Sequence, residues 1–185
     1  MISAEADLHR FPHSLQPLVL RLAHAAGDVA ILGDLAWSRG AVWEGRRALA
    51  AGAPILVDAP MVAAGIGRDR LLAGNNVICT LPDAVERKDM TRSAAAVELW
   101  REHLAGAVVA IGNAPTALFR LLEIMAEGAP QPALVLGFPV GFVGAAEAKA
   151  ALAAFDRGIA YITLHGRRGG SALAAAAVNA LASAE

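Results

Sequence analysis

Apolar residues in this chain gather into five short, nearly unbroken runs: PILVD at 54–58, NVICT at 76–80, AVVAIG at 107–112, ALVLGF at 133–138 and IAYITLH at 159–165. Continuous runs, rather than alternating ones, are the mark of parallel strands buried on both faces. Longer stretches between them predict helices over 93–104, 115–127, 139–154 and 171–184, the first preceded by a Thr91 cap and the second opening on Pro115. Two further helices, 14–35 and 42–51, come before the first strand and would cover the sheet or pair with another subunit. Strand–helix alternation predicts an α/β fold: a three-layer α/β/α domain around a parallel five-stranded sheet, with extra N-terminal helices. No linker or repeat divides the chain, so 1–185 is expected to be one domain.

Composition narrows the classes. The mean hydropathy of +0.48 owes much to alanine, and no run approaches the roughly 20 apolar residues that span a bilayer. No basic stretch precedes an apolar one, so no signal peptide is expected. The single cysteine, Cys79, forbids an internal disulfide and suits a reducing cytoplasm. A net charge of −1 makes no electrostatic case for nucleic acid. No histidine pair has metal-ligand spacing, so no metal is expected.

The informative segments lie where strands run into helices, since the carboxyl ends of parallel strands are where such sheets bind ligands. VVAIG-NAPTALFRLLE and LVLGF-PVGFVGAAEAK both follow this plan. Each helix start offers unpaired amides and a partial positive charge to an acidic ligand. Gly112-Asn113-Ala114-Pro115-Thr116 combines a cap with a backbone that can approach a ligand closely. The stretch from Pro139 through Gly141, Phe142 and Val143 to Gly144 is glycine-rich, but it has neither the dinucleotide spacing nor a P-loop lysine. Asp58, followed by Met61, either caps the next helix or faces the crevice. Thr91-Arg92-Ser93 is either a cap or a carboxylate clamp. Residues 166–171, with Arg167, Gly169 and Ser171, are either an anion-binding nest or a cap with surface arginines. His24, in LRLAHAAGDV, is either a packed core or interface histidine or a general acid; Ala25, Ala26 and Gly27 leave room for a bulky ligand beside it.

Together these pieces resemble the precorrin-8X methylmutase family of corrin biosynthesis. The resemblance is carried by EAD at 5–7, HAAG at 24–27, AGAPILVDAPMV at 51–62, AGNNVICTL at 73–81, TRSAAA at 91–96, VVAIGNAPTAL at 108–118, PVGFVGAAEAK at 139–149 and GRRGGS at 166–171. It implies a flavodoxin-like fold and a homodimer with sites near the subunit interface. In that strand order the turns at 58–61 and 112–116 would share one crevice. It also implies an isomerase that moves a methyl group from C11 to C12 of the macrocycle, giving hydrogenobyrinic acid without a cofactor. His24 matches the family's acid. The crevice residues and Arg92 and Arg167 would meet the tetrapyrrole's peripheral carboxylates.

The chain departs from the family's pattern in two places. Members usually carry a further segment before EAD, with an aromatic–Ser–Phe helix that helps form the pocket, and the stretch between Leu81 and Thr91 is shorter here. The departures favour two expectations to test: an active enzyme, or a paralogue that binds tetrapyrrole without turning it over. A flavin- or nucleotide-binding module is a third class, disfavoured by the missing phosphate loop.

Overall fold

The computed structural model describes residues 2–183. The elements run α1 (Ile2–Glu5), α2 (Gln16–Ala26), β1 (Leu35–Trp37), α3 (Ala41–Ala50), β2 (Ile55–Val57), α4 (Pro60–Gly65), β3 (Val77–Ile78), α5 (Arg92–Glu98), β4 (Val108–Ile111), α6 (Pro115–Ala126), β5 (Leu134–Gly137), α7 (Ala145–Ala153), β6 (Tyr161–Leu164) and α8 (Ser171–Ala182), with short 3-10 turns between some of them. The sheet order is β1-β6-β5-β4-β2-β3. β2 to β6 are parallel, and their order reverses at β2, between β4 and β3. This is the flavodoxin-like arrangement, with its switch point between β2 and β4.

Six strands replace the expected five. The predicted helix over 14–35 ends early: Gly27 takes a left-handed conformation (φ 64°) and donates its N–H to the Ala23 and His24 carbonyls. The chain then makes a 3-10 turn over Val29–Asp34 and enters β1, which pairs antiparallel to β6. The other predicted elements contract towards their middles. The helix expected over 93–104 stops at Glu98, and that over 139–154 begins only at Ala145, after Gly144 (φ 79°). The strand over 76–80 keeps only Val77 and Ile78, and the helix expected after Asp58 is the short α4. The last helix is described to Ala182; its predicted end at Ala184 lies outside the described residues.

Side-chain alternation along the strands divides the core into two. Ile55, Val57, Val108, Ala110, Leu134 and Leu136 point to the layer holding α2, α3, α4 and α8. Leu56, Val109, Ile111 and Val135 point to the layer of α5, α6 and α7, packed around Trp100. The α8 helix touches the crevice directly. A Cβ on Gly112 would lie 2.7 Å from Ser171 Cα, so glycine is required where the β4 turn meets the start of α8.

Candidate functional site at the carboxyl edge of the sheet

Asp58 ends β2 at the switch point and is only 2% exposed. Its carboxylate accepts N–H groups from Gly112 (2.9 Å), Asn113 (2.9 Å) and Ala114 (2.7 Å), the turn that leads from β4 into α6. It therefore caps the neighbouring unit, not the helix that follows it and not the crevice. Burial pushes the Asp58 carboxyl above its usual range, and the three amide bonds oppose that push. The amides of Gly112, Asn113 and Ala114 are consequently occupied within the protein, contrary to the expectation that they would be offered to an acidic ligand. What this turn leaves exposed is the side chains of Asn113 and Thr116.

Thr116 meets Thr91 across the gap between α5 and α6, Oγ1 to Oγ1 at 2.8 Å, while Thr91 also caps α5 by accepting the Ala94 N–H. The cap reading of Thr91 is the one realised within the chain. The two threonines line a cavity of about 420 Å³ together with Met90 and Phe119. Arg92 is exposed and donates to the Pro82 carbonyl at 3.3 Å. Ser93 sits half-buried in the first turn of α5.

The 138–144 and 166–171 segments lock together. Gly141 donates its N–H to Arg167 O and Gly170 donates to Phe138 O. A Cβ on Gly169 would overlap the Phe138 carbonyl and lie 2.5 Å from Pro139 O. The second segment is therefore a strut for the first, and its Gly170 amide is not presented as an anion nest. On top of this pair stand Phe142, 87% exposed, and Val143, 88% exposed, with the Arg167 guanidinium 5.3 Å from the centre of the Phe142 ring. Met61, 72% exposed at the start of α4, adds to the apolar surface of this edge.

Beneath the loops lies Lys149, the one fully buried charge here (0% exposed), whose Nζ donates to Arg168 O at 2.5 Å. Burial pushes its ammonium down to about 8, against the pull of Asp34. The unfolded chain holds this proton up to about 10.4. Across that window the unfolded state binds more protons, so native stability should rise with pH from about 8 to about 10. Urea midpoints measured across this range should climb in the wild type and climb less in Lys149→Met. Equal slopes in the two proteins would refute the assignment.

His24 lies in the last turn of α2, exposed, in a groove of about 430 Å³ that it shares with Arg21, Arg70, Leu20 and Ala180. None of the crevice residues lines that groove. The packed-core reading of His24 is therefore excluded for the single chain. A physical tie links the two regions: Arg168 pairs with Asp28 and with Asp34, each at 2.9 Å, and so fastens the chain just beyond His24 to the loop bearing Arg167. Sequence reasoning missed Arg21, Arg70, Lys149 and Arg168. Only Arg21 carried a local signal, its position three residues before His24 on the same helix face. Among the described residues, no group of three or more His, Cys, Asp or Glu side chains could hold a metal ion, and no helix is long and apolar enough to cross a membrane.

The sequence and fold of the chain match those of known proteins. A family model described as CbiC, precorrin-8X methylmutase, matches residues 1–184. A precorrin-8X methylmutase of Pseudomonas aeruginosa is 60% identical, the match covering 98% of this chain and 89% of that protein. One from a Sinorhizobium species is 55% identical with the same coverage. The crystal structure of precorrin-8x methyl mutase from Thermus thermophilus superposes with a TM-score of 0.89 at 43% identity, covering 98% of this chain and 89% of that one. The chain belongs to the precorrin-8X methylmutase family, enzymes of the isomerase class in cobalamin biosynthesis.

Proposed function

We propose that this protein converts precorrin-8X to hydrogenobyrinic acid, moving the methyl group from C11 to C12, with His24 as the proton donor. The observation that carries the reading is His24 itself, exposed on α2 beside an open groove rather than packed into the core. In the first step the imidazolium gives its proton to the conjugated ring and draws electron density from the carbon framework. The methyl group then leaves C11 as its bond to C12 forms, and the proton is returned as conjugation is restored. Substrate and product are isomers, so no methyl donor, cofactor or metal enters the balance. General acid catalysis of this kind contributes about 10²–10⁴-fold.

The apolar rim of Met61, Phe142 and Val143 would cover the face of a flat macrocycle, and the side chains of Asn113, Thr116, Thr91, Arg92 and Arg167 would meet its carboxylates. Gly141, Gly169, Ser171, Ala114, Pro115 and Asp58 act beneath them as scaffold. A homodimer fits this layout, since His24 and the crevice open onto different parts of one chain's surface and a second copy would close a site between them. The setting is cytoplasmic.

Incubation of the purified protein with precorrin-8X should produce the absorption spectrum of hydrogenobyrinic acid. Tight binding of substrate and product without conversion, by well-folded protein, would replace the enzyme with a tetrapyrrole-binding paralogue.

A further inference from the structure

Arg168 stands where the crevice loops meet the end of the His24 helix. Its backbone is held from beneath: the buried Lys149 ammonium of α7 donates to its carbonyl. The residues beside it are held as well, since Gly141 donates to Arg167 O, Gly170 donates to Phe138 O and His165 donates to Asp34 O. The other residues that α7 buries are Ala145, Ala148 and Leu152. An apolar side chain at position 149 would avoid the cost of burying a charge, so what the lysine adds there is a donor for the Arg168 carbonyl.

The Arg168 guanidinium bonds Asp28 through Nη1 and Asp34 through Nη2, each at 2.9 Å. Asp28 follows the Gly27 cap of the His24 helix. Its N–H donates to Ala23 O, and its carboxylate accepts the Ala30 N–H at 2.7 Å, opening the 3-10 turn that Asp34 closes. One side chain thus holds both ends of the segment between α2 and β1. Its acids lie 140 and 134 positions away in sequence, whereas Arg47, Arg87, Arg101 and Arg120 pair with acids at most 26 positions away. Both Arg168 ion pairs are half-exposed, and such pairs contribute little to stability. Their main consequence is geometric.

We infer that Arg168 is a positioning residue for the reaction, locking the end of the His24 helix to the loops that carry Phe142 and Arg167. The inference rests on the proposed function, in which His24 gives its proton to a ring covered by that rim. The tie lies within one chain, so it orients both of the surfaces that each copy presents to a second. Its release leaves the rim's own contacts with the ring in place and lets His24 drift from the carbon framework it protonates. A misplacement of about 1 Å can cost about 10²-fold in rate.

The test measures single-turnover conversion of precorrin-8X at saturating protein, the Kd of hydrogenobyrinic acid by absorbance, and the urea midpoint. The proteins are wild type, Arg168→Met, Arg168→Lys, Asp28→Asn and the double variant Arg168→Met/Asp28→Asn. Arg168→Met should slow turnover about tenfold to a hundredfold, with Kd within a few-fold of wild type and the urea midpoint nearly unchanged. Arg168→Lys keeps the charge without the fork that reaches two acids, and should recover part of the rate. Asp28→Asn keeps an oxygen for the Ala30 N–H and leaves the Asp34 pair intact, so it should slow turnover less than Arg168→Met. The double variant should be no slower than Arg168→Met, the coupling expected of two groups that act through one bond. Wild-type turnover in Arg168→Met would overturn the inference, as would a slowing matched by an equal rise in Kd, or additive effects in the double variant. A wild type that converts no precorrin-8X would instead overturn the proposed function, and the positioning role with it.

Discussion

Asp58→Ala should lose about 3–5 kcal/mol of folding stability, because three backbone amides lose their charged acceptor. Three amides converge on this carboxylate, and all three are left without an acceptor when it goes. Each stranded buried donor costs about 1–3 kcal/mol, reduced where water can enter. Relief of the carboxylate's own burial, which pushes its titration upward, offsets part of the loss. The remainder is still a large share of a stability that is typically about 5–15 kcal/mol. Asp58→Asn should fall between wild type and Asp58→Ala. One amide oxygen can serve Asn113 and Ala114, while the NH₂ group faces the Gly112 donor. Urea denaturation reads the series directly, and a shift below about 0.5 kcal/mol for Asp58→Ala would show that these amides find other partners.

The same residue shows where local sequence stops being informative. Asp58 at a strand end was legible as a cap or a crevice residue, but its partners lie more than fifty positions away, on the neighbouring strand of the sheet. Only the switch-point topology brings them together. The strands themselves were legible because burial on both faces leaves continuous apolar runs, and the flavodoxin-like order places the 58–61 and 112–116 turns side by side. The edge strand β1 was not legible, because its three residues continue an apolar helical stretch and its pairing with β6 is long-range. Gly27, whose left-handed turn ends α2, was read only as room for a ligand. The 166–171 segment was left open between an anion nest and a cap. Its Gly169 packs on the carbonyls of Phe138 and Pro139 and its Gly170 donates to Phe138 O, contacts with a loop distant in sequence.

In the turns that looked like anion sites, the Gly112, Asn113, Ala114, Gly141 and Gly170 amides are engaged within the protein. In the proposed function the proton donor is His24, and the apolar rim and exposed polar side chains of the crevice hold the ring. His24→Ala should therefore lower kcat for precorrin-8X about 10²–10⁴-fold, the contribution of a positioned general acid. Because the side chain is exposed and packs no core, the variant should keep the wild-type urea midpoint. Because the proposed function leaves ring recognition to the crevice, it should also bind hydrogenobyrinic acid within a few-fold of wild type. The most direct measurement is single-turnover conversion of precorrin-8X by wild type and His24→Ala at saturating protein, followed by the rise of the hydrogenobyrinic acid spectrum. Rapid conversion by the wild type with a variant that binds the ring but converts it at least a hundredfold more slowly is the predicted result; equal rates in the two proteins would contradict the account.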